Sequence, residues 1–191
     1  MKHTILLTLA LVSLVAKGGE FGVNLGSLDS KYETGGAFGF TYQEKWFGVS
    51  YSESDNNSKD EYNEFSRDGG ITTAVNGYDG YNLEYKAVDV YGVLRFFDDN
   101  PVSFYLMAGA SYIDARDEKS VVRSVSEYDD FEQISFVQLP NETYGKTYDD
   151  FYAMYGAGVR FNASSKIVFD LSYSKRGDFE QPIKITVLRK F

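Results

Sequence analysis

The chain has 191 residues, enough for one domain, and its 16 Tyr, 15 Phe and 1 Trp against only 3 Pro are typical of a protein built from β-strands. The formal net charge of −9 argues against binding to nucleic acid, whose phosphates would repel the protein. The sequence contains no Cys, which excludes disulfides, thiolate metal sites and cysteine nucleophiles.

The first sixteen residues have the layout of a secretory signal peptide. A lysine stands near the start, an apolar run fills positions 5–15, and the small residue Ala16 follows. The run is well short of the ~20 apolar residues that a membrane-spanning helix needs. We therefore expect residues 1–16 to be a cleaved signal peptide. Residues 17–191 would then form an exported domain without the chain's single histidine, His3.

After this segment the sequence alternates apolar and polar side chains, and no stretch keeps a helical period. A period of two predicts β-strands. Eight segments show it, at 20–27, 36–43, 46–54, 87–97, 102–113, 151–161, 166–175 and 183–191.

The connections between these segments alternate in length. Short ones at 43–46, 98–101 and 162–165 separate longer ones, of which two, at about 55–86 and 114–148, exceed 30 residues. Tight turns at one end and long loops at the other are typical of a membrane-spanning up-and-down barrel. The sequence therefore predicts an all-β fold: a closed, eight-stranded, antiparallel up-and-down transmembrane β-barrel.

The two faces of each predicted strand differ in polarity. In the segment 87–97, one face carries Val88, Val90, Gly92, Leu94 and Phe96, and the other carries Asp89, Tyr91, Val93 and Arg95. A soluble barrel would turn its apolar face inward, and an outer-membrane barrel turns it toward lipid. The length of the apolar faces and the aromatic residues near the strand ends favour lipid outside.

This orientation places charged side chains in the barrel lumen. Three acids and three bases are predicted there: Glu20, Asp89, Arg95, Arg160, Asp170 and Lys184. Because side chains fill the interior of an eight-stranded barrel, we expect these charges to pair with one another. The alternative is a gated ion path through switching ion pairs.

The chain ends within its last predicted strand, on Phe191, with Ile185 and Val187 at alternate positions before it and Arg189 as an exception. In this ending and in its strand pattern the predicted mature chain resembles the small eight-stranded outer-membrane barrels of the OmpA/OmpX type from Gram-negative bacteria. The resemblance implies a location in the bacterial outer membrane, with lipid and lipopolysaccharide as neighbours. It also implies that the barrel-assembly machinery reads the strand containing Ile185, Val187 and Phe191, and it implies no cofactor.

The predicted outer loops carry much of the negative charge. Residues 53–68 have a net charge of −4 and residues 114–150 have −6. Such loops are either solvated surface or a recognition surface for a host or environmental ligand. Arg176, Gly177 and Asp178 form a tripeptide similar to the integrin-binding sequence, and we expect it to be exposed in the shortest outer hairpin.

Catalysis is not predicted. The expected mature chain has no histidine to activate a hydroxyl, it has no G-x-S-x-G segment, and its acid pairs fall in turns or loops. No metal site is predicted either. The sequence favours a non-enzymatic surface or structural protein that serves in adhesion, resistance or envelope integrity. The alternatives are a small low-conductance pore and a soluble β-barrel that binds apolar ligands.

Overall fold

The computed structural model describes residues 19–98, 100–129 and 132–191, and in these ranges the chain forms nine β-strands and no helix. The strands are β1 (Glu20–Asp29), β2 (Thr34–Gln43), β3 (Phe47–Asp68), β4 (Ile71–Phe96), β5 (Val102–Asp129), β6 (Glu132–Gln138), β7 (Glu142–Asn162), β8 (Ile167–Arg176) and β9 (Phe179–Lys190). Among the described residues no helix is long and apolar enough to cross a membrane, a finding that concerns helices alone. The predicted signal peptide, 1–16, lies outside the described residues.

Eight of the strands close into a ring of antiparallel neighbours. Their order around the ring is β1, β2, β3, β4, β5, β7, β8, β9 and back to β1. The seam between the first and last strands is paired without a break from Glu20 to Gly26, with Val23 opposite Val187 and Leu25 opposite Ile185, and its register shifts between Gly26 and Asp29. Closure leaves no unpaired strand edge where the barrel meets lipid. The predicted closed eight-stranded barrel is confirmed.

The two segments predicted as outer loops, about 55–86 and 114–148, are mostly β-structure, so that prediction is wrong. β3 and β4 pair without interruption out to Asp68 and Ile71, and β4 pairs with β5 along its whole length. The turn between β3 and β4 is the pair Gly69-Gly70, both with positive φ, as a two-residue hairpin loop requires. The barrel wall therefore continues outward on one side as a four-stranded sheet.

We call this extension the projecting sheet. It consists of residues 55–68 of β3, 71–84 of β4, 116–129 of β5, and β6 with residues 142–147 of β7. β6 and β7 lie on the same side of β5 and are separated at 139–141. Pro140 stands at that interruption, since proline has no amide hydrogen for the ladder. β6 is thus a detached part of the sixth strand of the ring, whose main part is β7.

The apolar side chains of the barrel face outward. Val90, Leu106, Phe169 and Val187 are 56%, 51%, 44% and 40% exposed, whereas the alternate residues of the same strands are buried. In β4 the outward apolar band runs from Val88 to Phe96, close to the ~9–11 residues of a tilted transmembrane strand. This geometry suits a cylinder surrounded by hydrocarbon.

A row of charged residues bounds this band on the side of the projecting sheet. Glu53, Lys86, Asp114 and Asp149 are successive cross-strand partners on the outer surface. The next row toward the membrane, Tyr51, Val88, Tyr112 and Phe151, is apolar and largely aromatic. The change from aromatic to charged residues marks the membrane boundary.

Candidate functional site: the filled lumen and the projecting sheet

The lumen at the short-turn end contains a network of charges. Glu20 pairs with Arg160, and Arg95 Nη2 lies 4.0 Å from the Oε2 atom of Glu20. Arg95 also donates to the carbonyl oxygen of Glu44 at 2.9 Å and lies 3.6 Å from Asp98. A cavity of about 360 Å³ beside Arg95 opens toward this end. Three of the six predicted lumen residues, Glu20, Arg95 and Arg160, therefore meet in one cluster.

The middle of the lumen is organised around Asp89, which is fully buried. Arg176 holds it in a bidentate pair, with Nε 2.8 Å from Oδ1 and Nη2 2.7 Å from Oδ2. Ser50 donates a further hydrogen bond of 2.6 Å to Asp89, and Arg176 also donates to Gln181 at 3.1 Å. The charges of Asp89 and Arg176 compensate each other through the two hydrogen bonds of the bidentate pair. The hydrogen bonds with Ser50 and Gln181 satisfy further polar atoms of the two side chains.

Arg176 corrects the sequence-based placement of the tripeptide. Its side chain is 0% exposed inside the barrel, because β8 continues to this residue with Ser172, Ser174 and Arg176 all facing inward. Only Gly177 and Asp178 are exposed in the turn, so the three residues do not form one surface motif. The sequence could have predicted this position, because Arg176 is an even number of residues after Asp170 and so lies on the same face of the strand.

The remaining predicted lumen residues, Asp170 and Lys184, are also buried inside the barrel. Asp170 accepts a hydrogen bond of 2.7 Å from the Tyr105 hydroxyl. Lys184 lies within electrostatic reach of Asp89 and Asp170. The structure thus places all six predicted residues in the lumen, with Arg176 as a seventh charge that the sequence analysis missed.

The mouth below the projecting sheet is filled by apolar side chains, where we expected polar ones. A buried cluster joins residues from six strands: Leu28, Ala37, Leu83, Tyr85, Ala87, Ile113, Ala115, Tyr148 and Phe179. The Phe179 ring lies 4.7 Å from the Tyr148 ring and 5.0 Å from the Tyr85 ring, measured between centroids. A second apolar cluster lies deeper, and the lumen therefore alternates apolar and charged layers.

A polar contact crosses the mouth above this cluster. Asp117 of β5 accepts hydrogen bonds of 3.0 Å from Ser30 Oγ and 3.2 Å from the amide nitrogen of Lys31. β5 stands opposite β1 in the ring, so this contact ties the projecting sheet to the far wall. Burial raises the pKa of Asp117, and the hydrogen bonds offset only part of that effect. The mouth is closed by an apolar layer with a polar latch over it.

The turn between β8 and β9 makes a further contact with the projecting sheet. Asp178 accepts hydrogen bonds of 2.7 Å from Lys146 Nζ and 3.1 Å from the Tyr148 hydroxyl. The hydrogen bond from Lys146 lowers the pKa of Asp178. Asp178 therefore has a structural role on the rim.

The end of the chain lies at the short-turn rim. Ile185 and Val187 face outward, and the Phe191 amide donates to the carbonyl oxygen of Gly19 at 3.2 Å. The Arg189 guanidinium lies 5.5 Å from the centroid of the Phe191 ring. The role of Ile185, Val187 and Phe191 as an assembly signal stays a prediction.

The projecting sheet is strongly acidic and holds only scattered ion pairs. Lys119 contacts Asp79 at 2.6 Å, Lys59 contacts Glu61 at 2.7 Å, and these pairs are separated along the sheet. Among the described residues, no group of three or more His, Asp or Glu side chains could hold a metal ion. The sheet offers a charged surface without a metal centre in this part of the chain.

No family model and no curated protein matches the chain. Among solved structures, it is similar to the attachment invasion locus protein Ail of Yersinia pestis, with 19% identity, coverage of 91% of this chain and 95% of that chain, and a TM-score of 0.37. It is similar to CarO2 of Acinetobacter baumannii, with 12% identity, coverage of 89% and 98%, and a TM-score of 0.46. For Neisserial surface protein A the identity is 11%, the coverage 91% and 92%, and the TM-score 0.32.

TM-scores below 0.5 decide nothing about this chain, and its architecture follows from its own strand ring and outward apolar band. By that geometry the chain is a closed eight-stranded transmembrane β-barrel, the architecture of the small outer-membrane proteins whose pattern its sequence resembles.

Proposed function

We propose that this protein is a non-enzymatic protein of the Gram-negative outer membrane. Its barrel anchors an acidic sheet at the cell surface, where the sheet serves in adhesion, resistance or envelope integrity. Lipid and lipopolysaccharide surround the barrel, and the barrel-assembly machinery inserts it. The observation that carries the proposal is the combination of a filled lumen with a long, regular sheet on one side of the mouth.

The filled lumen argues for an anchor and against the pore alternative. A conducting path would have to pass the apolar cluster at Phe179 and the ion pair between Asp89 and Arg176. Opening it would expose apolar side chains and separate a buried pair, and both changes cost free energy. The soluble alternative required Val90 and Leu106 inside the barrel, and both face outward.

The projecting sheet supports a role outside the membrane. Extending four strands beyond the charged boundary row does nothing for closure of the barrel, which the shorter strands β1, β2, β8 and β9 achieve with 10 to 12 residues each. A paired sheet holds surface side chains in fixed positions, which lowers the entropy lost on binding a partner.

The test is a shortened variant designed from the strand register. Asn57, Asn82, Glu118 and Gly145 are successive partners in one row, so residues 58–81 and 119–144 can each be replaced by Gly-Gly. We expect the variant to reach the outer membrane and keep a heat-modifiable gel shift. Cells that make it should adhere several-fold less to surfaces coated with extracellular-matrix protein than cells with the full chain.

Two results would overturn the proposal. The first is equal adhesion, equal resistance and equal envelope integrity in cells with the full-length and the shortened protein, since the sheet would then serve none of the proposed roles. The second is release of the full-length protein from membranes by salt alone, because a transmembrane barrel needs detergent for extraction.

A further inference from the structure

The far end of the projecting sheet has two faces with different chemistry. We call the face continuous with the lumen the inner face and the opposite one the outer face. Alternation along the uninterrupted strand pairs assigns the residues of β3, β4 and β5. The residues of β6 are assigned by their partners in β5, because the register of this pair shifts between Glu127 and Tyr128. Three cross-strand rows form the inner face beyond Tyr62, and we name them the acidic tip face: Glu64, Val75, Val125 and Val137; Ser66, Thr73, Glu127 and Ser135; Asp68, Ile71, Asp129 and Glu132.

The row of the acidic tip face that lies nearest the membrane is apolar. Val75, Val125 and Val137 are neighbours across three strands, roughly 4.8 Å apart from strand to strand. Val137 is 53% exposed, and Val75 and Val125 are partly exposed. Ile71, 40% exposed, lies two rows farther out. Neighbouring β-branched side chains that are at least partly exposed form a stripe that apolar groups of a partner can cover.

Carboxylates lie at one end of this stripe and beyond it toward the tip of the sheet. Glu64, Asp68, Glu127, Asp129 and Glu132 make no ion pair with a lysine or arginine of the described chain, although Glu127 accepts a hydrogen bond of 2.9 Å from Ser135. The nearest cations on the same face are engaged lower down the sheet. Arg123 donates to the Tyr62 hydroxyl at 2.8 Å, and Lys119 contacts Asp79.

The outer face at the same height lacks this charge. Phe65, Ala74, Ser126 and Phe136 form one row, and in the rows on either side of it the one charged residue is Arg67. A net charge of −9 by itself would be expected to distribute carboxylates over both faces of the sheet. At this height they are instead concentrated on the inner face. A second copy of the chain is a poor occupant, because it would bring like charges together.

We propose that the acidic tip face binds cationic amphipathic peptides. The valine stripe covers the apolar side chains of the peptide, and the five carboxylates pair with its lysine and arginine residues. This inference rests on the proposed function, which places the sheet outside the cell. Because the ion pairs between the carboxylates and the peptide are exposed to water, they contribute chiefly to the association rate and to specificity. The valine stripe contributes the burial of apolar surface.

The experiment uses the full-length protein in zwitterionic lipid nanodiscs and a fluorescent synthetic peptide of lysine and leucine in amphipathic order. One variant removes three charges from the acidic tip face: Glu64→Gln, Asp129→Asn and Glu132→Gln. Its control removes three charges from the outer face of the sheet and the rim: Asp55→Asn, Glu84→Gln and Asp114→Asn. A second set of variants tests the valine stripe with the substitutions Val125→Thr and Val137→Thr. Their control is Val122→Thr, on the outer face.

We expect the tip-face charge variant to raise the Kd by about tenfold at low salt and the control by less than about twofold. The difference should shrink at about 0.5 M salt, where exposed charges are screened. The two valine substitutions should weaken binding at both salt concentrations, and Val122→Thr should not. Circular dichroism and the heat-modifiable gel shift verify that each variant is folded.

Equal losses in the two charge variants would overturn the inference, because only the long-range charge of the protein would then matter. Equal binding to empty nanodiscs would also overturn it, because lipid alone would account for the signal. If the peptide does not bind while the shortened variant still reduces adhesion, the inference fails and the proposed function stands.

Discussion

At the residue scale, the pair formed by Asp89 and Arg176 is the most sensitive point of the barrel. Both side chains are 0% exposed, and each satisfies the other through two hydrogen bonds. Removing one partner leaves a buried charge without compensation. We expect Arg176→Met to lower the free energy of unfolding by about 3 kcal/mol, measured by urea titration in lipid vesicles.

A double substitution separates the effect of an uncompensated buried charge on stability from the effect of lost packing. Asp89→Asn combined with Arg176→Met should recover part of the stability, because no uncompensated charge then remains. Asp178→Asn, in the exposed turn two residues away, should change the unfolding midpoint far less, because its ion pair with Lys146 is exposed to solvent. An Arg176→Met protein as stable as the unaltered chain would show that water solvates Asp89 well enough to replace the pair.

At the element scale, Asp117 fixes the projecting sheet to the turn between β1 and β2. Its pKa is raised by burial, so the folded latch favours the protonated carboxyl group. For an acid with a raised pKa, the contribution to stability is largest at low pH and falls as the pH rises through that pKa. We therefore expect Asp117→Asn, which mimics the neutral form, to gain stability relative to the unaltered chain from acid to neutral pH.

Hydrogen exchange at the amide of Lys31, which donates to Asp117, measures the latch directly. In the unaltered chain the protection of this amide should fall as the pH rises, after correction for the intrinsic exchange rate, and in Asp117→Asn it should change less. Protection that increases with pH in the unaltered chain would reverse the sign and contradict the assignment. Asp114→Asn, on the outer surface of the same strand, is the matched control.

At the scale of the whole molecule, closure depends on close approach of the first and last strands. A Cβ atom on Gly22 would lie 1.8 Å from the carbonyl oxygen of Val187, whereas a Cβ on Gly36 in the neighbouring strand would meet nothing within 4 Å. We expect Gly22→Val to lose the heat-modifiable gel shift in most of the protein, because β1 and β9 cannot then pair in register. Gly36→Val should keep the shift.

The sequence by itself determined the strand ring and its orientation. Alternation with period two, short turns at one end and the terminal strand were enough to predict eight antiparallel strands and an outward apolar face. Local pattern carries this information, because each strand must present one face to lipid along its whole length. The same alternation predicted which charged residues face the lumen: Glu20, Asp89, Arg95, Arg160, Asp170 and Lys184.

Only the tertiary structure decided what fills the lumen and what the long segments form. The sequence pattern predicts Arg176 in a turn, whereas the structure shows that its strand continues and that its side chain points into the lumen. Leu83, Ile113 and Phe179 meet only because strands distant in sequence come together at the mouth. Polar strands such as residues 55–68 lack an apolar face, so periodicity does not reveal them. Their structure depends on backbone pairing with neighbours, which no local pattern records.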